Sequence, residues 1–167
     1  MNTTYIDEQM LIGQSTVWQS FRRPTTSWDD ILGHMGTLWD EQMLGFSKIP
    51  MSFVVSHSDR ISSLADFMFE FNNETEQSYQ IFDIHCFVAL GSRGMIHDPT
   101  VWDFNNLIWQ VKGHSEIAFY EPDGSGGKAQ IFAPGDLAYV NPKNKFSIKP
   151  ISEGCFVSYA MKKNLSS

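Results

Sequence analysis

The chain has 167 residues, of which 42% are apolar, 14% aromatic and 19% charged. That composition supports one globular core and excludes a disordered tail. Twelve Lys and Arg against nineteen Asp and Glu leave a formal charge of −7, which opposes capture of nucleic-acid phosphates or anionic lipid surfaces.

The chain reads as a single domain, 1–167, in two unequal parts that join near Asn73. Residues 1–73 are expected to form a helical segment packed across one side of a barrel that spans 79–161. Ser27 is a candidate N-cap for a helix opening with Trp28, Asp29, Asp30, Ile31 and Leu32, because its hydroxyl accepts an orphan N–H and the carboxylates suit the positive helix end. Gly33 and Gly36 predict that this helix is short or frayed. Phe53, Val54 and Val55 read as an outlying strand. From about Ser58 to Asn72 the apolar residues Ile61, Leu64, Ala65, Met68 and Phe71 recur at helical spacing.

From Tyr79 the pattern changes to period two with closely spaced turn residues, which suits an antiparallel barrel or sandwich. The expected strands are Gln80–Leu90, Met95–Val101, Asn106–Val111, Glu116–Tyr120, Ala129–Phe132, Leu137–Asn141, Lys145–Lys149 and Cys155–Met161. In the last of these, Cys155, Val157, Tyr159 and Met161 share one face, and Phe156, Ser158 and Ala160 share the other. The two cysteines lie inside apolar runs, so reduced, buried thiols are expected rather than a disulfide framework. No apolar run approaches twenty residues and no basic segment leads into an apolar stretch at the N-terminus, so the reading is a cytoplasmic protein.

Two phrases, GSRGMIHDPTVWDFNNLIWQVKG and APGDLAYVNPKNKFSIKP, together resemble the cupin superfamily and, within it, the jumonji-like branch that includes Fe(II)/2-oxoglutarate hydroxylases. The resemblance covers roughly Phe82 to Met161. It rests on Gly91 six residues before His97, on the Gln-x-x-Gly turn of Gln110 and Gly113, and on Pro134–Gly135–Asp136 followed by Tyr139. The Ser-Trp-Asp-Asp phrase and the DIHCFVAL strand are similar to small jumonji-like proteins of phages and bacteria. The resemblance implies a mostly β fold, a double-stranded β-helix with N-terminal helices, and Fe(II) with 2-oxoglutarate as the cofactors to look for.

It also implies a ligand set that this sequence fills in part. An iron site of this kind takes two His and one carboxylate. His97 takes the first place. The carboxylate two residues on is replaced by Pro99, which leaves Asp98 or Asp103. The distal His falls at Phe146, and 141–150 contains no His. Where the branch often carries a Lys to pair with the co-substrate, this chain has Ser115.

On that resemblance His97 and Asp103 are the candidate metal ligands, with a turn histidine and a bend carboxylate as the competing readings. His85, which alternates with Asp83 and Phe87, Gln110, which alternates with Asn106 and Ile108, and Tyr139, Trp109 and Trp102 are the candidate pocket residues. Core packing competes for each. Neither zinc-type Cys–His spacing nor a Gly-x-Ser-x-Gly elbow occurs.

Two functions stay open. One is a non-catalytic module with an incomplete iron site, binding a small molecule in the barrel mouth or another protein chain, its own copy in a homodimer among them. The other is a divergent Fe(II)/2-oxoglutarate-dependent oxygenase. Nucleic acid and membrane are not expected partners.

Overall fold

The computed structural model describes residues 4–46, 52–75, 79–91, 97–100, 102–121 and 123–163. The N-terminal part opens with helix α1 (Thr4–Ile12) and strand β1 (Thr16–Trp18), neither of which the periodicity predicts. Helix α2 (Trp28–Asp40) starts at a complete capping box: the Ser27 hydroxyl accepts the Asp30 N–H, and the Asp30 carboxylate accepts the Ser27 N–H. It runs through both Gly33 and Gly36, contrary to the short helix expected. Its buried face, Ile31, His34, Met35 and Leu38, holds it past the glycines.

Strands β2 (Gly45–Phe46) and β3 (Ser52–Val55) follow, then a 3₁₀ turn over Ser58–Arg60 and helix α3 (Ser62–Glu74). The 3₁₀ turn delays the helix relative to the periodic reading. Its Ser58 hydroxyl donates to the Val55 carbonyl and accepts the Cys86 N–H, so the turn is stitched to the strands rather than continued into the helix. Apolar α3 residues Leu64, Ala65, Phe67 and Phe71 are buried.

The remaining strands are β4 (Tyr79–Ala89), β5 (His97–Thr100), β6 (Asn105–Lys112), β7 (Ser115–Tyr120), β8 (Gln130–Phe132), β9 (Leu137–Val140), β10 (Lys145–Pro150) and β11 (Gly154–Lys163). Where described they match the expected series closely, because turn residues mark almost every boundary; Met95, Ile96 and Val101 of the expected Met95–Val101 strand lie outside the described residues. All pairings are antiparallel. One sheet runs β1-β9-β6-β11-β4-β3-β2 and the other β5-β10-β7-β8. The N-terminal part is therefore more than helical. It adds β1 to one flank of the larger sheet and β2 and β3 to the other.

Between the sheets lies one core, made of Phe87, Ile108, Ile117, Phe132, Ala138, Val140, Phe146, Ile148 and Phe156. A second core lies between the outer face of the larger sheet and the helices, where Ile31, Leu38, Leu64, Phe67 and Phe71 meet Ile84, Cys86, Trp109, Tyr139, Val157 and Tyr159. Central strands of that sheet are thus covered on both faces. Along β11 the face with Cys155, Val157, Tyr159 and Met161 belongs to the helix-side core, and Phe156 belongs to the inter-sheet core. Both cysteines are free and buried. Hydrogen bonding with Cys155, together with burial, pushes the Cys86 thiol well above its ordinary pKa.

Candidate functional site

A cleft of about 400 Å³ opens at one end of the barrel. The period-two rule places alternate β4 residues Asp83, His85 and Phe87 along one wall. Register then fixes their neighbours: Ser158 of β11 stands opposite His85, Ala160 opposite Asp83, and Asn106 of β6 opposite Ala160. Val54 of β3 pairs with Phe87 at the inner end. Trp102, Asp103 and Phe104, between β5 and β6, form the other wall.

Polar groups brace this arrangement. Asn106 donates its amide to the Phe104 carbonyl at 2.7 Å, which folds the Trp102–Phe104 segment back on the sheet, and accepts the Ser158 hydroxyl at 3.1 Å. His85 Nδ1 lies 3.6 Å from Asp83 Oδ2, an ion pair when the imidazole is protonated, with both side chains substantially exposed. At the rim Phe104 meets Phe82 edge-on at 5.2 Å, and the Lys162 ammonium lies 5.8 Å from the centre of the Phe82 ring.

Rings line the inner end. Phe156 stacks on Phe87 at 4.8 Å, Phe87 on Trp102 at 6.2 Å, and Trp102 meets Phe146 edge-on at 4.7 Å. Phe146 is fully buried. In the β5–β10 ladder Phe146 pairs with Thr100 and Ile148 pairs with His97, with an irregularity between the two pairs. The side chain of His97, like that of Asp98, lies outside the described residues. Among the described residues no three His, Cys, Asp or Glu side chains are grouped so as to hold a metal ion.

The structure thus brings Asp103 and His85 to one cleft, together with Asp83, Asn106 and Ser158, which the sequence reading did not nominate as site residues. Alternation on β4 carried the signal for Asp83. Alternation also gave the face of Asn106 on β6 and of Ser158 on β11, and the inter-strand register is what sets them beside Asp83 and His85.

Gln110, Trp109 and Tyr139 lie elsewhere. Gln110 is buried, and its amide donates to the Lys112 carbonyl at 2.7 Å and the Gly113 carbonyl at 3.3 Å, closing the turn that follows; its Oε1 has no partner among the described residues. Trp109 faces the helices, because odd-numbered β6 residues point away from the barrel interior. Its indole stacks on Phe67 at 5.2 Å and donates to the Arg22 carbonyl. Tyr139 shares that outer core. Its hydroxyl donates to Asn105 at 2.6 Å, and burial raises its pKa. Ser115, at the start of β7, is buried and pairs with Pro150 and Phe132.

No family model matches the chain, and no curated protein matches it. Solved structures do. The ribosomal oxygenase YcfD of Escherichia coli aligns with a TM-score of 0.73 at 14% identity, over 99% of this chain and 53% of YcfD. YcfD in complex with cobalt and 2-oxoglutarate aligns at 0.69 and 13% identity, over 92% of this chain and 49% of YcfD. The complex with cobalt and succinic acid gives 0.66 at 14% identity over the same shares. The chain spans about half the length of the YcfD chains it matches. The likeness establishes the fold, a jumonji-like double-stranded β-helix of the cupin type. No helix among the described residues is long and apolar enough to cross a membrane.

Proposed function

We propose that this chain is a cupin-like barrel protein with an incomplete iron site, one that binds a small molecule in the mouth of the barrel without catalysing a reaction on it. The observation that carries this reading is the buried Phe146 ring packed against Trp102 at the inner end of the cleft. The sequence resemblance expects a metal-binding imidazole at that position, and the phenyl ring found there has no lone pair to give to iron. Among the described residues the cleft does not fit Fe(II): it offers His85, Asp83 and Asp103, and they do not form a three-ligand group. What remains is a concave pocket with aromatic walls and a few polar groups, the usual composition of a small-molecule site.

The second reading, a divergent Fe(II)/2-oxoglutarate-dependent oxygenase, draws support from the YcfD structures that hold cobalt and 2-oxoglutarate. Calorimetric titration with Co(II), with and without 2-oxoglutarate, separates the two. The first reading expects no stoichiometric metal binding, and expects a ligand found by thermal-shift screening to lose at least tenfold in affinity on Asp103→Ala or His85→Ala. One equivalent of Co(II) bound in a 2-oxoglutarate-dependent manner replaces it with the oxygenase reading.

A further inference from the structure

We infer that an aromatic bridge occupies the metal position of this barrel and that the three substituted ligand positions are Thr100, Trp102 and Phe146, not His97, Asp103 and Phe146. This rests on the incomplete-site reading and deepens it.

The argument starts from the ladder. Residues directly opposite each other in an antiparallel pair share a face of the sheet and are neighbours across it. Phe146 stands opposite Thr100, whereas His97 stands opposite Ile148 on the far side of an irregularity in the pairing. A His placed to share a metal with the residue at position 146 therefore belongs at position 100. The spacing of an imidazole and a carboxylate two residues apart then falls on Thr100 and Trp102. The Trp102 ring closes the group by meeting Phe146 at 4.7 Å. Three positions that register and contact bring together thus carry a hydroxyl, an indole and a phenyl ring, none of them the imidazole or carboxylate that such an iron site takes.

The same rings connect the two sheets. Phe156 on β11 and Phe87 on β4 belong to the larger sheet, Phe146 on β10 belongs to the smaller, and Trp102 lies between them with ring contacts on both sides. Positions 100 and 146 lie on neighbouring strands of the smaller sheet and 102 follows β5, so a metal held there would tie β10 to β5 and to the segment that leads into β6. Here ring packing links the two sheets, and it puts the Trp102 indole between the inter-sheet core and the cleft it lines.

Restoring the donors tests this. Co(II) binding, followed by visible absorption on the full chain, is compared for the wild type, Phe146→His alone, and the triple variant Thr100→His/Trp102→Asp/Phe146→His. The triple variant is expected to bind one equivalent at least a hundredfold more tightly than the wild type or the single variant. A folded triple variant with no gain overturns the assignment. So does Phe146→His binding as well as the triple variant and losing that binding on His97→Ala. Stoichiometric binding by the wild type instead defeats the incomplete-site reading beneath it.

A second measurement needs no reconstructed site. Trp102→Leu and Phe146→Leu, alone and together, are compared by melting temperature. A double variant that loses clearly less than the two single losses combined supports the bridge, and strict additivity overturns it.

Discussion

At the residue scale, the motifs that made the fold legible turn out to be braces. Gly113 ends the Gln-x-x-Gly turn at φ +62°, and a Cβ there would collide with the Glu153 carbonyl oxygen. Backbone conformation and space both exclude a side chain. Gly113→Ala is expected to cost roughly 2–4 kcal/mol, from left-handed strain plus a backbone clash. Chemical denaturation checks it, and an unchanged midpoint refutes it. Asp136 of the Pro-Gly-Asp turn likewise spends both carboxylate oxygens on backbone N–H groups, those of Ser20 and Ala133. Such residues are readable because their spacing follows backbone geometry, which a chain keeps as long as it keeps the fold. Ligand positions obey no such rule: His97 was counted along the chain, but its distance from Phe146 depends on a ladder irregularity that spacing does not reveal.

At the scale of elements, α2 shows where local propensity loses to packing. Two glycines argued for a short helix, yet α2 runs for 13 residues because its buried face is complete. Gly33 and Gly36 are exposed, have helical neighbours on both sides, and offer free space to a Cβ. Replacing each with Ala is expected to stabilise the protein by about 0.5–1 kcal/mol, through lower unfolded-state entropy and better helix propensity. A lowered melting temperature in the double variant shows the reasoning to be wrong.

The cap of the same helix gives a pH dependence. Hydrogen bonds from the Ser27 hydroxyl, then from its backbone N–H, hold the Asp30 carboxyl below its ordinary pKa. A carboxylate depressed in the folded state contributes stability that is complete above its unfolded pKa and is lost as pH falls through its folded one. The stability gap between wild type and Asp30→Asn should therefore be widest near neutrality and narrow below the ordinary carboxylate range. Paired urea melts across that range measure it, and a pH-independent gap contradicts it. Strands were more legible than α1 or β1, since turn residues bracket nearly every strand of the barrel. Neither α1 nor β1 carries a strong periodic signal, and β1 is defined only by its partner β9.

At the scale of the molecule, composition and periodicity divide the chain into a helical part and a barrel part, but the structure interleaves them. Arg22 illustrates the joint. Its N–H donates to the Gly135 carbonyl, its carbonyl accepts the Trp109 indole, its guanidinium lies 5.7 Å from the Phe67 ring centre, and it also pairs with Glu70 of α3. The outer face of the larger sheet, with Trp109, Tyr139, Val157 and Tyr159 fully or almost fully buried, would be bare without the helices. With each of these four side chains worth roughly 1.5–3 kcal/mol when buried, the loss is about 6–12 kcal/mol, as large as the whole stability of about 5–15 kcal/mol of an ordinary domain. A fragment of residues 79–163 is therefore expected to lack native tertiary structure, and adding residues 1–75 in trans should restore part of it. Near-ultraviolet circular dichroism of the fragment alone decides the matter. A native-like aromatic spectrum with one cooperative melt would make the barrel an independent unit and the N-terminal part an accessory. The expected result is instead a collapsed chain that binds hydrophobic dye, because the side of the sheet opposite the cleft is what the N-terminal part covers.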